Sequence, residues 1–183
     1  MVTVLITGGA GFIGHNLALY LASRGFDVAV YDSLERSSGL GVSRLREKGV
    51  PIIVGDVRDE DMLRNALREA DVVVHAAAYV SVEESVRRPL MYFSNNVLGT
   101  VSAAKCSLDC DVDFLVYLSS AAVYGNPKYL PIDENHPTKP IYKSGRLGDI
   151  RRSVADISKI ARILGFKPKV SLEQGLEMLF KYG

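Results

Sequence analysis

Thr7-Gly8-Gly9-Ala10-Gly11-Phe12-Ile13-Gly14 decides the fold. The string reads as G-x-G-x-x-G from Gly9 and as G-x-x-G-x-x-G from Gly8. It follows a continuous apolar run at 2–7 (VTVLIT), the pattern of a parallel strand buried on both faces. It opens a helix predicted from Phe12 to about Arg24, with Gly25 just past its end. A second strand, Asp27–Tyr31, ends at the acid Asp32. Alone, the glycine string is a weak motif whose plain alternative is a bare turn. Between a buried strand and a helix, with an acid closing the next strand, it is a dinucleotide-binding signature. Glycines let the backbone turn tightly and approach a pyrophosphate, and the last one lets the helix pack near the strand. The phosphates then rest on free N–H groups at the helix N-terminus, which assigns Gly8, Gly11, Phe12, Ile13 and Gly14 to cofactor binding. A carboxylate at Asp32 accepts from the ribose hydroxyls of NAD and repels the extra phosphate of NADP. Arg36 lies nearby and would suit NADP, but the carboxylate outweighs it.

The same alternation continues outward. A short helix is predicted over Val42–Lys48, a third strand over Pro51–Val54, and a helix over Asp59–Glu69 with acids in its first turn. Asp71–His75 is the fourth strand and Asp113–Leu118 the fifth. Between them, Leu90, Phe93, Val97, Val101, Ala104 and Leu108 recur at helical spacing, with Pro89 early in that helix. This β-α-β-α-β order implies an α/β fold, a Rossmann-like doubly wound parallel sheet of strand order 3-2-1-4-5. Residues 125–140 carry four prolines and read as an irregular loop. Two short helices follow, a helical C-terminal tail. Ser153 caps the first, whose stripe is Val154, Ile157, Ile160, Ile163 and Leu164; Ser171 and Gln174 form the capping box of the second. The expected division is 1–140 as the NAD-binding domain and 141–183 as a helical remnant of a C-terminal substrate domain.

Composition excludes other classes. The 183 residues carry a net charge of +1, with no Lys/Arg run longer than two, so a nucleic-acid footprint is absent. No apolar run approaches the length of a membrane span. Met1 leads straight into a strand, so no signal peptide and a cytoplasmic location are expected. Cys106 and Cys110 read as small hydrophobes in or near a core, because two thiols alone cannot build a structural zinc site. No metal is expected.

Further candidates lie just after strands three and four. Asp56 can accept from an adenine amino group with Val57 against the ring; the alternative is that Asp56 caps the next helix. Ala76, Ala77 and Ala78 are small enough to leave room for a cofactor backbone, and His75 reads as a satisfied structural histidine. Of Asn95 and Asn96, one should face the cleft and the other solvent.

Taken together, TGGAGFIG (7–14), YDSL (31–34), GDVRD (55–59), HAAAYVSVEES (75–85), NNVLGT (95–100), LSSAAVYGNP (118–127) and DENHPT (133–138) resemble the extended short-chain dehydrogenase/reductase family. Within it, the resemblance is to the NAD-dependent nucleotide-sugar epimerases and dehydratases that act at the 4-position of a UDP-sugar. It implies a transient oxidation, in which a tyrosine takes the proton of the 4-hydroxyl while hydride passes to NAD. It also implies a serine on the reacting oxygen, here Ser120, and a lysine one helical turn after the tyrosine that lowers its pKa. It further implies UDP or a UDP-sugar as ligand, and pairing into a homodimer through the helix at 89–108 unless the tail covers that face.

The chain departs from the family after Pro140. There the Y-x-x-x-K helix should begin, but the residues read Ile141-Tyr142-Lys143-Ser144-Gly145-Arg146-Leu147-Gly148-Asp149. That stretch resembles the family's far C-terminal R-x-G-D element, which makes Arg146 and Asp149 the counterparts of nucleotide-binding residues. SVADISKIARILGFKP (153–168) continues the match. The chain resembles the two ends of an epimerase joined at about Pro140–Tyr142. A second departure is Val80, where the epimerases often carry a cofactor-contacting lysine. Tyr142 and Arg146 share the spacing of Y-x-x-x-R, but Gly145 and Gly148 oppose a helix there. Three readings stay open: an epimerase from which a segment is left out, a shortened protein that binds NAD and UDP without turnover, or a regulatory or assembly module with a relic cofactor site.

Overall fold

A computed structural model describes residues 1–37, 39–133 and 135–138, together with Arg162 and Gln174. The chain divides into two units, Met1–Leu118 and Ser119–Gly183.

In the first unit, β1 (Thr3–Thr7), β2 (Asp27–Asp32), β3 (Ile52–Val54), β4 (Val72–His75) and β5 (Phe114–Tyr117) form one sheet of order β3-β2-β1-β4-β5. Every pairing is parallel; β1 matches Val4 to Val28 on one side and to Val72 on the other. The helices are α1 (Phe12–Ser23), α2 (Gly39–Glu47), α3 (Glu60–Leu67), α4 (Val82–Arg87), α5 (Pro89–Tyr92) and α6 (Gly99–Asp109). A π-helical segment, Phe93–Leu98, joins the last two. The expected sheet and strand order are therefore present.

The uninterrupted apolar strands are explained by two separate cores. Val4, Ile6, Val28, Val30 and Val74 point to one face and meet Ala18 of α1 and Leu45 of α2. Leu5, Tyr31 and Val73 point to the other and meet Leu63 and Leu67 of α3 with Ala103 and Cys106 of α6. A strand buried on both faces has no polar side to show. Cys106 is buried and Cys110 half-buried, both free thiols.

Local signals set the helix limits. Asp59 caps α3, its Oδ1 accepting the Met62 N–H at 3.0 Å, and Glu60 and Asp61 occupy the first turn. Asp59 is thus the cap of this helix, and the capping alternative raised for Asp56 does not hold. Ser81 caps α4, a helix that the sequence pattern did not reveal. α2 begins at Gly39, three residues before its expected start. The single helix expected over 89–108 is divided instead into α5, the π-segment and α6.

The apolar stripe of that region points the other way from the usual rule. Leu90, Phe93, Val97, Val101 and Leu108 are all exposed, Leu90 at 83% and Leu108 at 79%. The buried side of α6 is Gly99, Ser102, Ala103, Cys106 and Ser107. Small residues there bring the helix axis close to the sheet and α3, and the large apolar residues are left outside. β5 is exposed along its whole length.

In the second unit, the described part is short and irregular, as its prolines imply. Ser120 caps a 3₁₀ turn at Ala121–Tyr124, its Oγ accepting the Ala122 N–H at 3.2 Å. His136 is buried and organises the loop around it. Its Nε2 accepts the Lys128 N–H at 3.0 Å, and the rings of Tyr124 and Tyr129 pack on it at 5.5 and 4.7 Å. The tail helices expected from Ser153 and Ser171 lie outside the described residues, save that Arg162 and Gln174 are helical.

Candidate cofactor site

The site lies at the carboxyl ends of β1, β2 and β4 and begins with the glycine turn. Gly8 follows β1 at φ +65°, and its N–H donates to the Tyr31 carbonyl at 2.8 Å. A Cβ there would lie 2.7 Å from the Ala77 backbone, so only glycine fits. At Gly14, a Cβ would lie 2.4 Å from the Gly8 carbonyl oxygen and 2.6 Å from the Gly9 Cα. This is the close packing of helix on strand for which the last glycine of the motif is needed. Gly11 occupies the N-cap of α1 and offers no side-chain cap. The first-turn N–H groups, including those of Phe12 and Ile13, are thereby left to a ligand.

Asp32 closes β2 beside this turn and is almost fully buried, with 9% exposure. Its Oδ2 accepts the Ala10 N–H at 2.9 Å, and its Oδ1 accepts the Leu34 N–H at 2.8 Å. The carboxylate thus ties the glycine turn to the loop after β2, where Leu34 is held at φ 59°. Each oxygen takes one backbone donor and keeps lone-pair capacity for a hydroxyl.

A groove runs between these elements. It is lined by Gly8, Gly11 and Asp32 from one side and by Asp56, Val57, Ala76, Ala77, Ala78 and Asn95 from the other. The predicted cofactor residues Gly8, Gly11, Asp32, Asp56, Val57, Ala76, Ala77, Ala78 and Asn95 are therefore brought together, while Phe12, Ile13 and Gly14 lie in the first turn of α1 and do not line the groove. Tyr31, Gly55 and Tyr79 also line it and were not singled out, and Arg36, noted in the sequence as a residue that would suit NADP, lines it too. Tyr31 is a spacer: its hydroxyl donates to the Asp56 carbonyl at 2.9 Å, and burial, then Asp59 and Asp56, push it up to about 12. Asp56 is engaged by Arg58, whose Nε and backbone N–H both reach Oδ1 at 2.8 Å while Nη2 holds Oδ2. That guanidinium keeps the carboxyl below its ordinary range.

The asparagine pair divides differently from expectation. Asn95 is buried against the groove. Asn96 is only half-buried, but its side chain is taken up by the backbone rather than left to solvent. Its Oδ1 accepts the Tyr79 N–H at 2.8 Å and its Nδ2 donates to the Tyr79 carbonyl at 2.9 Å. The π-segment sets both side chains, a placement that a regular helical period does not anticipate. His75 is structural. Thr100 Oγ1 donates to the Asn96 carbonyl at 2.6 Å, so it accepts from His75 Nε2 at 3.0 Å. Nδ1 then accepts from Thr7 Oγ1 at 2.7 Å. Burial holds this imidazole neutral and lowers it to about 4.

Ser120 is exposed in the second unit. Tyr142, Arg146 and Asp149 lie outside the described residues. Tyr124 and Lys128 have the literal Y-x-x-x-K spacing, but Gly125 at φ 63° and Pro127 between them break any helix.

A doubly wound sheet with a glycine turn, an uncapped helix and a buried acid at the end of β2 defines a dinucleotide-binding α/β protein. Comparison with known proteins narrows this. Residues 4–146 match the NAD dependent epimerase/dehydratase family, and the chain belongs to it. The UDP-glucose 4-epimerase of Lactobacillus helveticus is 41% identical over 144 residues, covering 78% of this chain and 42% of that protein. The UDP-glucose-4-epimerase of Stenotrophomonas maltophila, solved with NAD and formylated UDP-arabinopyranose, is 36% identical at a TM-score of 0.70. That match covers 76% of this chain and 43% of the other. The enzyme of Bifidobacterium longum, in complex with NAD+ and UDP, is 38% identical at 0.68, over 75% and 43%. The chain thus spans about two fifths of the length of such relatives.

Proposed function

We propose that this chain is the NAD-binding part of a nucleotide-sugar epimerase of the UDP-glucose 4-epimerase type. The observation that carries the reading is Asp32, a buried carboxylate with spare acceptor capacity beside an uncapped helix and a glycine turn. The donor set suits NAD: amides at α1 receive the pyrophosphate, Asp32 accepts from the ribose hydroxyls, and Val57 offers an apolar wall to the adenine. Asn95 and Ala76–Ala78 border the path of the cofactor backbone. Held by the α1 amides and Asp32, NAD would supply a reversible hydride acceptor for the sugar's C4. Ser120 orients the 4-hydroxyl, and Arg146 and Asp149 bind the nucleotide of a UDP-sugar. We assign 1–140 to the cofactor domain and 141–183 to a remnant of the substrate domain. The exposed stripe of Leu90, Phe93, Val97 and Val101 supports pairing into a homodimer or cover by the tail.

The second reading concerns turnover. Ser120 cannot take a proton at neutral pH without a base beside it. General-base catalysis supplies about 10²–10⁴-fold in rate, and the Y-x-x-x-K helix that would supply it is not found after Pro140. The 183-residue chain is therefore expected to bind UDP without interconverting UDP-glucose and UDP-galactose. The test is that assay on intact, mass-verified protein. Turnover lost in Tyr142→Phe would make Tyr142 the base and overturn the inactive reading.

A further inference from the structure

We propose that Glu84 is a specificity-determining residue of the cofactor site, because it holds the Arg36 guanidinium in a two-point ion pair and so denies it to a 2′-phosphate. The inference rests on the NAD reading above and deepens it. Arg36 is the one cation lining the groove among the described residues, and it shares that lining with Asp32 and Ser33. It stands where a cation would have to stand to accept the extra phosphate of NADP. A planar guanidinium is well suited to phosphate, since its donors match two oxygens at once.

Here one donor on each terminal nitrogen is already taken, and the positive charge is paired. Arg36 Nη1 lies 2.5 Å from Glu84 Oε2 and Nη2 lies 2.9 Å from Glu84 Oε1. The guanidinium also lies over the Tyr79 ring, 4.1 Å from its centre. Tyr79 is fixed in turn by its hydroxyl, which donates to Glu35 Oε2 at 2.6 Å, and by the clasp of Asn96 on its peptide. Tyr92 donates to Glu84 Oε2 at 3.0 Å, and Arg88 Nη1 lies 3.6 Å from Oε1. Glu84 is held down to about 2, chiefly by Arg36, so it keeps its charge at any working pH.

The consequence is electrostatic. A 2′-phosphate beside Asp32 faces two carboxylates and one cation that is already paired. Removing the Glu84 charge leaves the Arg36 charge without its ion-pair partner and frees at least one of its donors, with the Tyr79 ring still holding it at the groove. Glu84 does not line the groove, so NAD should scarcely notice the change.

The test is calorimetric titration of the whole chain with NAD and with NADP. In Glu84→Gln, which keeps an acceptor for Tyr92, the NADP/NAD ratio of dissociation constants should fall by about tenfold, the scale of one charge-assisted phosphate contact. The fall should come from tighter NADP. Adding Arg36→Met to Glu84→Gln should restore the wild-type ratio. A ratio unmoved by Glu84→Gln overturns the proposal, and so does a fall that persists in the double variant. Should Glu84→Gln not fold, Glu84→Ala carries the same comparison. Wild-type protein that binds neither dinucleotide ends the NAD reading, and this inference with it. Wild-type protein that prefers NAD, with a ratio indifferent to residue 84, ends this inference alone.

Discussion

Replacing Asp32 by Asn separates the two tasks of one side chain. Its oxygens accept the Ala10 N–H at 2.9 Å and the Leu34 N–H at 2.8 Å. An amide has one oxygen and one NH2 group, so the NH2 must confront one of these two donors. That donor is left unpaired in a nearly buried position, which costs about 1–3 kcal/mol. At roughly 2–4 °C per kcal/mol for a chain of this size, the melting midpoint falls by about 2–12 °C. Binding suffers separately. Ribose hydroxyls that donate to a charged acceptor gain about 1–2 kcal/mol over a neutral one, so NAD should bind roughly 5–30-fold more weakly. The repulsion of a 2′-phosphate disappears with the charge, so NADP should weaken less. A thermal melt and paired titrations read both effects. A lowered midpoint with unchanged NAD affinity would refute the ribose assignment. An unchanged midpoint would refute the geometry of the two backbone contacts.

Three further expectations concern other parts of the molecule. His75 has a folded-state value lowered to about 4 against an ordinary 6.5, so the unfolded chain binds the extra proton first as pH falls. Its stabilisation is complete above pH 6.5 and is lost towards pH 4, on the order of 3 kcal/mol; urea unfolding across that window should show the slope, and His75→Gln should flatten it. Gly14→Ala puts a Cβ 2.4 Å from the Gly8 carbonyl oxygen, and should cost about 1–3 kcal/mol in the same assay while displacing the amides of the turn. Leu63→Ala empties a fully buried position under α3, and should cost about 2–5 kcal/mol with NAD affinity per folded molecule unchanged.

The strands and their order were legible because burial on both faces forces unbroken apolar runs, as at 2–7 and 72–74. Asp32 was legible because chain connectivity places the end of β2 beside the turn after β1. α4 was not, because Val82–Arg87 is charged and too short to show a period; its signal was the cap at Ser81. The stripe from Leu90 to Leu108 is helical, as its spacing predicts, but periodicity cannot tell which face meets the sheet. Small residues at Gly99, Ser102 and Ala103 carried that information. The π-segment turns Asn96 from solvent to the Tyr79 peptide. Arg36 and Glu84 are 48 positions apart, and no local spacing announces such a pair. Arg146 and Asp149 lie outside the described residues, and their assignment rests on resemblance.

The most direct measurement is titration of the intact 183-residue chain with NAD. A saturable heat at one NAD per chain, with NADP bound more weakly, is the expected result. No binding of NAD, or tighter binding of NADP, would contradict the assignment of the glycine turn and Asp32 to this cofactor.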